Sequence, residues 1–394
     1  MYNANEALFM ILRSEACDGE LDEAVLKSIA ENSEQLDKLY ALAKYHDMAH
    51  IVGAALEKAG LLEEMTETKA KLYKQHYAAI YRYRGIEHEL SAVTALFTEC
   101  GVAHIPLKGS VIRKYYKEPW MRTSCDIDVL IHKEDIDRAA VLLTERLGFT
   151  YHTTSSHDVA LFSPGGVHLE LHYDLIEDSL FAGLGNVLEN VWERATQIDE
   201  TCGYEMPDDL FYFYHISHMA KHFMDGGCGI KPLLDIWVLR NRMEYDEEAR
   251  YELLEKGGML KFAEAAELLS EIWFGKAEHI EETLLIENFV LTGGTYGMPQ
   301  NRANVQKVYQ GSRFRYIMSR IFVPYDIIKY YYPILRKHKW LTPFYEVKRW
   351  LKVFSRKNKA IKELHTDESA AQSSKIMLDY LGIPESVRES KNND

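Results

Sequence analysis

Asp126 and Asp128 are separated by a single isoleucine and followed by Val129-Leu130-Ile131. On a strand, successive side chains alternate faces, so the two carboxylates point the same way while Ile127 and Val129 point into a core. Two acids a few ångströms apart repel unless a cation compensates them, and hard divalent cations prefer such oxygen ligands. Forty-two residues after Asp128, the run Val167-His-Leu-Glu-Leu-His-Tyr173 supplies a third acid. There His168, Glu170 and His172 share one face and Leu169 and Leu171 the other. Three carboxylates converging on one sheet surface suit two-metal phosphoryl chemistry with two Mg²⁺ or Mn²⁺ ions. Asp126, Asp128 and Glu170 are therefore the candidate catalytic and metal-binding residues.

Phosphate recognition has its own candidates. Lys108-Gly109-Ser110 follows a short apolar run, and a Gly-Ser turn can aim backbone N–H groups at phosphate oxygens. Lys108 and Arg122 flank the acids in sequence. Either neutralises triphosphate charge or pairs with Asp126 or Asp128. Arg113 and Lys114 read as a solvated helix face. His172 either orients the carboxylates or acts on an acceptor hydroxyl, or it is a buried His bonded to the backbone. Asp174 is either a rim acid or a helix cap. His215, His218 and His222 lie at i, i+3 and i+7 with Lys221 beside them. No cysteine accompanies them, so they fit a polar helix face better than a zinc site. On that reading His218, Lys221 and His222 contact the nucleotide or acceptor, and Asp235 pairs with one of them.

The elements that position these residues follow from periodicity. Residues 1–100 predict helices over Glu6–Arg13, Leu21–Glu31, Leu36–His46, Ala49–Ala59 and one long or two abutting helices over Thr66–Glu99. Residues 101–200 change character. Strands are expected over Val102–Leu107, Ile127–Ile131, Phe149–His152, Val159–Phe162 and Val167–Tyr173. Helices are expected over Val111–Lys117, Ile136–Leu147 and Leu180–Ala195. This is an α/β (α+β) core with a small mixed sheet, embedded between helical regions. Residues 201–300 predict further helices closing a cleft, starting at Pro207, Lys231, Asp246, Leu260 and Ile280. Residues 301–394 form a basic, aromatic segment broken at Pro324, Pro333 and Pro343, followed by a loosely ordered polar tail from 366.

Composition narrows the classes. A net charge of −14 argues against binding long nucleic acid, which needs phosphate-neutralising surface. The charge is uneven: residues 313–362 carry fourteen Lys/Arg against Asp326 and Glu346. That segment either packs its aromatics on the acidic body or contacts an anionic membrane surface. Five scattered cysteines without a CxxC pair fit reduced thiols, and the start lacks a signal-peptide layout. A cytoplasmic protein is the expectation.

Leu107-Lys-Gly-Ser110, Arg122, Asp126-Ile-Asp-Val-Leu130 and Leu169-Glu-Leu-His172 together resemble the polymerase-β-like nucleotidyltransferase superfamily. More specifically, they resemble an uncharacterised bacterial nucleotidyltransferase family. The resemblance runs through His218-Met-Ala-Lys-His222 and Lys231-Pro-Leu-Leu-Asp235 and covers roughly residues 35–350. It implies that Asp126, Asp128 and Glu170 hold the metals and that Gly109-Ser110 grips the terminal phosphates. It also implies transfer of a nucleoside monophosphate from an NTP, ATP by default, to a hydroxyl acceptor. A small molecule is the preferred acceptor; a protein side chain or a tRNA end are the alternatives. The competing class is a catalytically silent nucleotide-binding or scaffold protein of the same fold. Fifteen residues separate Ser110 from Asp126, more than the compact pattern of the superfamily, so the segment between must fold back.

Overall fold

The computed structural model describes residues 3–155, 157–175, 185–199, 201–295, 297–309, 322–323, 325–354 and 368–383. Parts of the basic segment (313–321, 324 and 355–362), the first residues of the predicted 180–195 helix and residues 366–367 and 384–394 of the polar tail lie outside them. The fold is mixed α/β, and its contacts separate two compact units. One comprises Met1–Met219 with Gly229–His279, the other Ala220–Cys228 with Ile280–Asp394.

The first unit opens with helices α1 (Ala4–Glu15), α2 (Glu23–Glu31), α3 (Ser33–Tyr45) and α4 (Ala49–Lys58). The Asn3 side chain accepts from the Glu6 N–H while the Glu6 carboxylate accepts from the Asn3 N–H, closing a capping box on α1. A single helix, α5 (Glu67–Glu99), follows, capped by Thr66. Its inward residues Ile86, Val93, Leu96 and Phe97 cover one face of the sheet.

That sheet has five strands: β1 (His104–Pro106), β2 (Asp126–Ile131), β3 (Thr150–Thr154), β4 (Asp158–Phe162) and β5 (His168–His172), in the order β1-β2-β5-β4-β3. β2 and β5 are parallel neighbours, with Asp126 opposite His168, Asp128 opposite Glu170 and Leu130 opposite His172. Parallel neighbours need a long crossover. Here it is helix α6 (Ile136–Leu147), numbered so in this core, followed by the β3–β4 hairpin. Gly148 ends that helix in the left-handed region at φ 70°, where a side chain would be strained. Ile127, Val129, Ile131, Leu169 and Leu171 are buried against α5 and α6. The opposite face of the same strands carries the acids.

Further along come α7 (Asp208–Met224), α8 (Lys231–Arg242), α9 (Glu247–Lys256) and α10 (Leu260–Phe274). The second unit holds α11 (Glu281–Gly293), α12 (Pro299–Tyr309), α13 (Tyr325–Tyr331), α14 (Thr342–Phe354) and α15 (Glu368–Tyr380).

Several expectations need correction. The Val111–Lys117 helix is a four-residue turn of helix over Gly109–Ile112 and a 3₁₀ turn over Arg113–Tyr115. The described part of the 180–195 helix is two short pieces, Gly185–Leu188 and Val191–Arg194. A two-stranded ladder, Thr196–Gln197 with Tyr204–Glu205, went unforeseen because strands of two residues carry no periodicity. Pro343 does not break a helix but sits in the first turn of α14, where a missing N–H costs nothing. The tail is not loosely ordered throughout: α15 forms because Met377 and Leu378, with Leu381 and Ile383 beyond it, are buried within otherwise polar sequence.

Two glycines make opposite demands. A Cβ on Gly53 of α4 would run into the Leu72 carbonyl of α5, whereas one on Gly85 within α5 meets nothing within 4 Å. Gly53→Ala is expected to destabilise the protein by about 1–3 kcal/mol. Gly85→Ala is expected to stabilise it by about 0.5–1 kcal/mol. Thermal unfolding of both variants beside the wild type checks the pair of signs.

Candidate active site

Asp128 is 2% exposed, inside the sheet and one residue from the core-facing Ile127 and Val129. An isolated buried carboxylate is costly, so its partners decide the site. Lys108 Nζ donates to Asp128 Oδ1 at 2.7 Å, and His172 Nε2 is 2.9 Å from the same oxygen. His172 Nε2 also lies 3.4 Å from Glu170 Oε2, and His168 Nδ1 lies 3.6 Å from Glu170 Oε1. Parallel register puts Glu170 directly across from Asp128. Burial opposes ionisation of Asp128, but the Lys108 ammonium and the His172 hydrogen bond outweigh it and hold the carboxyl far below the usual carboxylate range. Burial, then the charge of Asp128, pushes the Asp126 carboxyl up. Burial would neutralise His172, yet its bonds to Asp128 and Glu170 raise it overall.

Ligand atoms of Asp128, Glu170 and His172 all lie within 4.8 Å of one another. Two carboxylate oxygens and an imidazole nitrogen that close are a donor set fit for a divalent cation. Asp126 adjoins this cluster electrostatically without being one of its three members. His172, left open between several roles by the sequence, is thus the member of the set that sequence alone did not place.

Leu107–Ser110 is a turn stitched to β2. The Leu107 N–H donates to the Asp128 carbonyl, and the Ser110 N–H donates back to Leu107. Lys108 occupies φ 47°, ψ −125°, the first central position of a type II′ turn, which ordinarily takes glycine. This backbone holds the Lys108 stem beside Asp128. The fifteen intervening residues do fold back. Arg113 donates from Nε to the Gly109 carbonyl and from Nη2 to Ser124 Oγ at 2.7 Å, and Ser124 Oγ donates to the Asp126 carbonyl. A Cβ on Gly109 would sit 3.1 Å from the Ser124 Cβ, so the turn and the entry to β2 are in close packing. Arg113, read from sequence as solvated, is instead buried. The Ser110 hydroxyl is buried and has no hydrogen-bond partner among the described residues, an orphan that suits an anionic oxygen.

Arg122 binds neither strand aspartate by hydrogen bond. Its Nε contacts both Asp235 oxygens, at 2.7 and 2.9 Å, and Tyr116 OH donates to Asp235 Oδ1 at 2.7 Å. Asp235 therefore pairs with Arg122 and Tyr116, not with a histidine of α7, because it is fully buried on α8 facing the loop before β2. His215 lies 3.3 Å from the Pro232 carbonyl. Tyr214 of α7 also faces the acids electrostatically. It is buried within the electrostatic reach of Lys108, Asp128 and Glu170, and burial pushes its phenol up so that it stays an O–H. The His218 ring is 6.2 Å from that of Tyr214, while Lys221 and His222 belong to the second unit. Asp47, which the sequence did not single out, pairs with Lys231 beside the loop before β2. Lys231 Nζ donates to Asp47 Oδ2 at 2.5 Å and to the Thr123 carbonyl, and Thr123 Oγ1 donates to the same Asp47 oxygen. Nothing in the local sequence of Asp47 announces this.

A parallel strand pair presenting in-register acids, fed by a Gly-Ser turn and enclosed by helices, defines a nucleotidyltransferase-type core. The family model of an uncharacterised nucleotidyltransferase matches residues 32–275, more than half of the chain, and the chain belongs to that family of transferases. No curated protein and no solved structure matches it.

The loop before β2 should respond to acid through Asp47 and His50. Burial would raise the Asp47 carboxyl, but Lys231 outweighs it and sets it at about 2. Burial holds the His50 imidazole at about 4, its Nε2 2.8 Å from the Met121 carbonyl. Both folded values lie below the unfolded ones, so the unfolded chain binds more protons and stability falls with falling pH. The His50 share is lost between pH 6.5 and about 4, and the Asp47 share between 3.8 and about 2. In melting curves across this range, His50→Gln should flatten the upper slope. The gap between wild type and Asp47→Asn should close only towards pH 2.

Proposed function

We propose that the chain transfers a nucleoside monophosphate from a nucleoside triphosphate to a hydroxyl acceptor, releasing pyrophosphate, with Mg²⁺ or Mn²⁺ bound at Asp126, Asp128 and Glu170. ATP is the donor in this reading and a small hydroxylated molecule the acceptor. The observation that carries it is the in-register pair of Asp128 and Glu170 on parallel strands, with His172 closing a set of ligand atoms within 4.8 Å. Bound divalent cations polarise phosphoryl oxygens and make an acceptor hydroxyl more acidic.

The chain's own residues divide the remaining work. Asp128 is kept ionised by Lys108 and His172, so it offers lone pairs at neutral pH. Asp126, pushed up by burial and then by its acidic neighbours, is stabilised in its charged form by added positive charge. Glu170 keeps a quarter of its side chain open, which suits it to the acceptor side and to taking the hydroxyl proton. Gly109, by lacking a Cβ, lets the turn close on Ser124, and the unpartnered Ser110 hydroxyl is a donor for a phosphate oxygen. Lys108 adds a cation at that turn, and the neutral Tyr214 O–H adds a donor. His218, one turn beyond Tyr214, remains a nucleotide contact in this reading. Arg122, already committed to Asp235, acts by fixing the loop that delivers Asp126. The net charge of −14 favours a small acceptor over long RNA.

Labelled NTPs and filter binding test the reading. Wild type is expected to bind an NTP only with Mg²⁺ or Mn²⁺, and Asp128→Asn or Glu170→Gln to lower label transfer by about 10²-fold or more. No divalent-dependent NTP binding by the wild type would sink the reading. Label recovered in RNA or protein rather than in small metabolites would overturn the acceptor assignment alone.

A further inference from the structure

Helix α14 is turned inside out. Its single carboxylate, Glu346, is buried at 7% exposure, with Oε1 accepting from the Val323 N–H and Oε2 from Arg349 Nε, both at 2.9 Å. Tyr345 and Trp350 pack inward on Tyr332 and Phe322, with ring centroids 4.7 and 5.5 Å apart. These contacts fix the helix's rotation and leave its apolar side outside. Phe344, Val347 and Leu351 are 64%, 48% and 68% exposed. Their i, i+3, i+7 spacing puts them within an arc of about 60°. Trp340, 77% exposed, precedes the helix, and Tyr331, 71% exposed, ends α13. A water-facing helix normally shows the reverse distribution.

Charge says what covers this face. Residues 325–354 hold seven lysines and arginines against Asp326 and Glu346, whereas the chain as a whole carries −14. Lys348 follows the apolar arc on its flank, at a position 40° beyond Phe344 by the ~100° helical step, and the exposed Lys337 and Lys339 lie on its approach beside Trp340. An apolar arc flanked by lysines, with Trp and Tyr at its approach, matches a helix lying in the interface of an anionic bilayer. No helix among the described residues is long and apolar enough to cross a membrane, so the contact is with the surface.

We propose that α14 and the turn before it form a docking surface for an anionic lipid membrane, with Phe344, Val347, Leu351 and Trp340 entering the interface and the lysines meeting lipid phosphates. The surface binds through shallow apolar insertion and charge together, so attachment is reversible and weakens with salt.

Flotation of the full-length protein with lipid vesicles tests this. Vesicles of phosphatidylcholine alone are compared with vesicles containing about a third phosphatidylserine. Wild type should float with the anionic vesicles and release as salt is raised. Phe344→Asp with Leu351→Asp, both on the exposed face, should weaken flotation by about tenfold or more. Brominated lipid should quench wild-type fluorescence, and Trp340→Phe should remove much of that quenching. Lysine replacement by Lys348→Glu should weaken binding to anionic vesicles only, and its fold can be checked by circular dichroism. Failure of the wild type to float with either vesicle overturns the proposal. So does a result in which the Asp variants leave flotation unchanged but turn a dimer into a monomer, which would assign the face to a second copy of the chain.

Discussion

The site depends on the compensation of one buried charge. Asp128 sits on the sheet face that carries the acids, and its strand is wrapped by core on the other side. Left alone, such a carboxylate would take a proton or destabilise the fold. Lys108 and His172 both donate to one of its oxygens, so the charge survives burial. His172 is delivered by strand register, two residues beyond Glu170. Lys108 is delivered by a turn held in a left-handed conformation that a non-glycine residue adopts only at a cost of about 1–3 kcal/mol. The strain and the ion pair belong together: the backbone that is unfavourable for lysine is the one that brings its ammonium to Asp128.

A second layer of ion pairs holds the path between the Gly109-Ser110 turn and the acids. Arg122 to Asp235 and Lys231 to Asp47 both tether helices distant in sequence to the loop at Thr123. Arg113 closes the other side by bridging Gly109 and Ser124. Fifteen residues of little regular structure can therefore still present a turn and a strand to each other in one geometry. Removing one member of such a pair would leave the other charge buried without its partner, which is why these groups act as a unit rather than as separate contacts.

The fold was largely legible from the sequence where periodicity is strong. The alternation in Asp126–Ile131 and His168–His172, the helix Ile136–Leu147 with its Gly148 stop, and the long α5 all follow from spacing. Short elements were not legible, because four residues of helix at Gly109–Ile112 or two of strand at Thr196–Gln197 leave no pattern. The acids could be read because DxD on a strand is a local signal. Lys108 and His172 were open to the sequence as partners of those acids, but the surrounding groups were not: Asp47, Tyr214 and the Arg122–Asp235 pair come together only through packing of elements up to 184 residues apart in sequence. The basic segment was open to two readings. Aromatics near lysines suggest a face packed inward, but rotation of α14 is set by where Glu346 finds its partners, and hydropathy alone does not reveal that.

The arrangement around Asp128 also constrains how a cation can enter. Oδ1 already accepts from two donors, so an ion bound to that oxygen must displace at least one of them. His172 is 1% exposed and anchored mid-sheet beside Glu170, with little room to withdraw. Lys108 reaches Asp128 by a flexible four-carbon stem from a turn, and its charge repels the incoming ion. Under the proposed nucleotidyl transfer, a nucleotide whose phosphates accompany the ion would supply the anion that Lys108 loses. On that reading a bare cation would meet an occupied carboxylate, whereas cation and triphosphate together would exchange one ion pair for two. The buried lysine that stabilises the acid would then also favour the pair of ligands over either one alone.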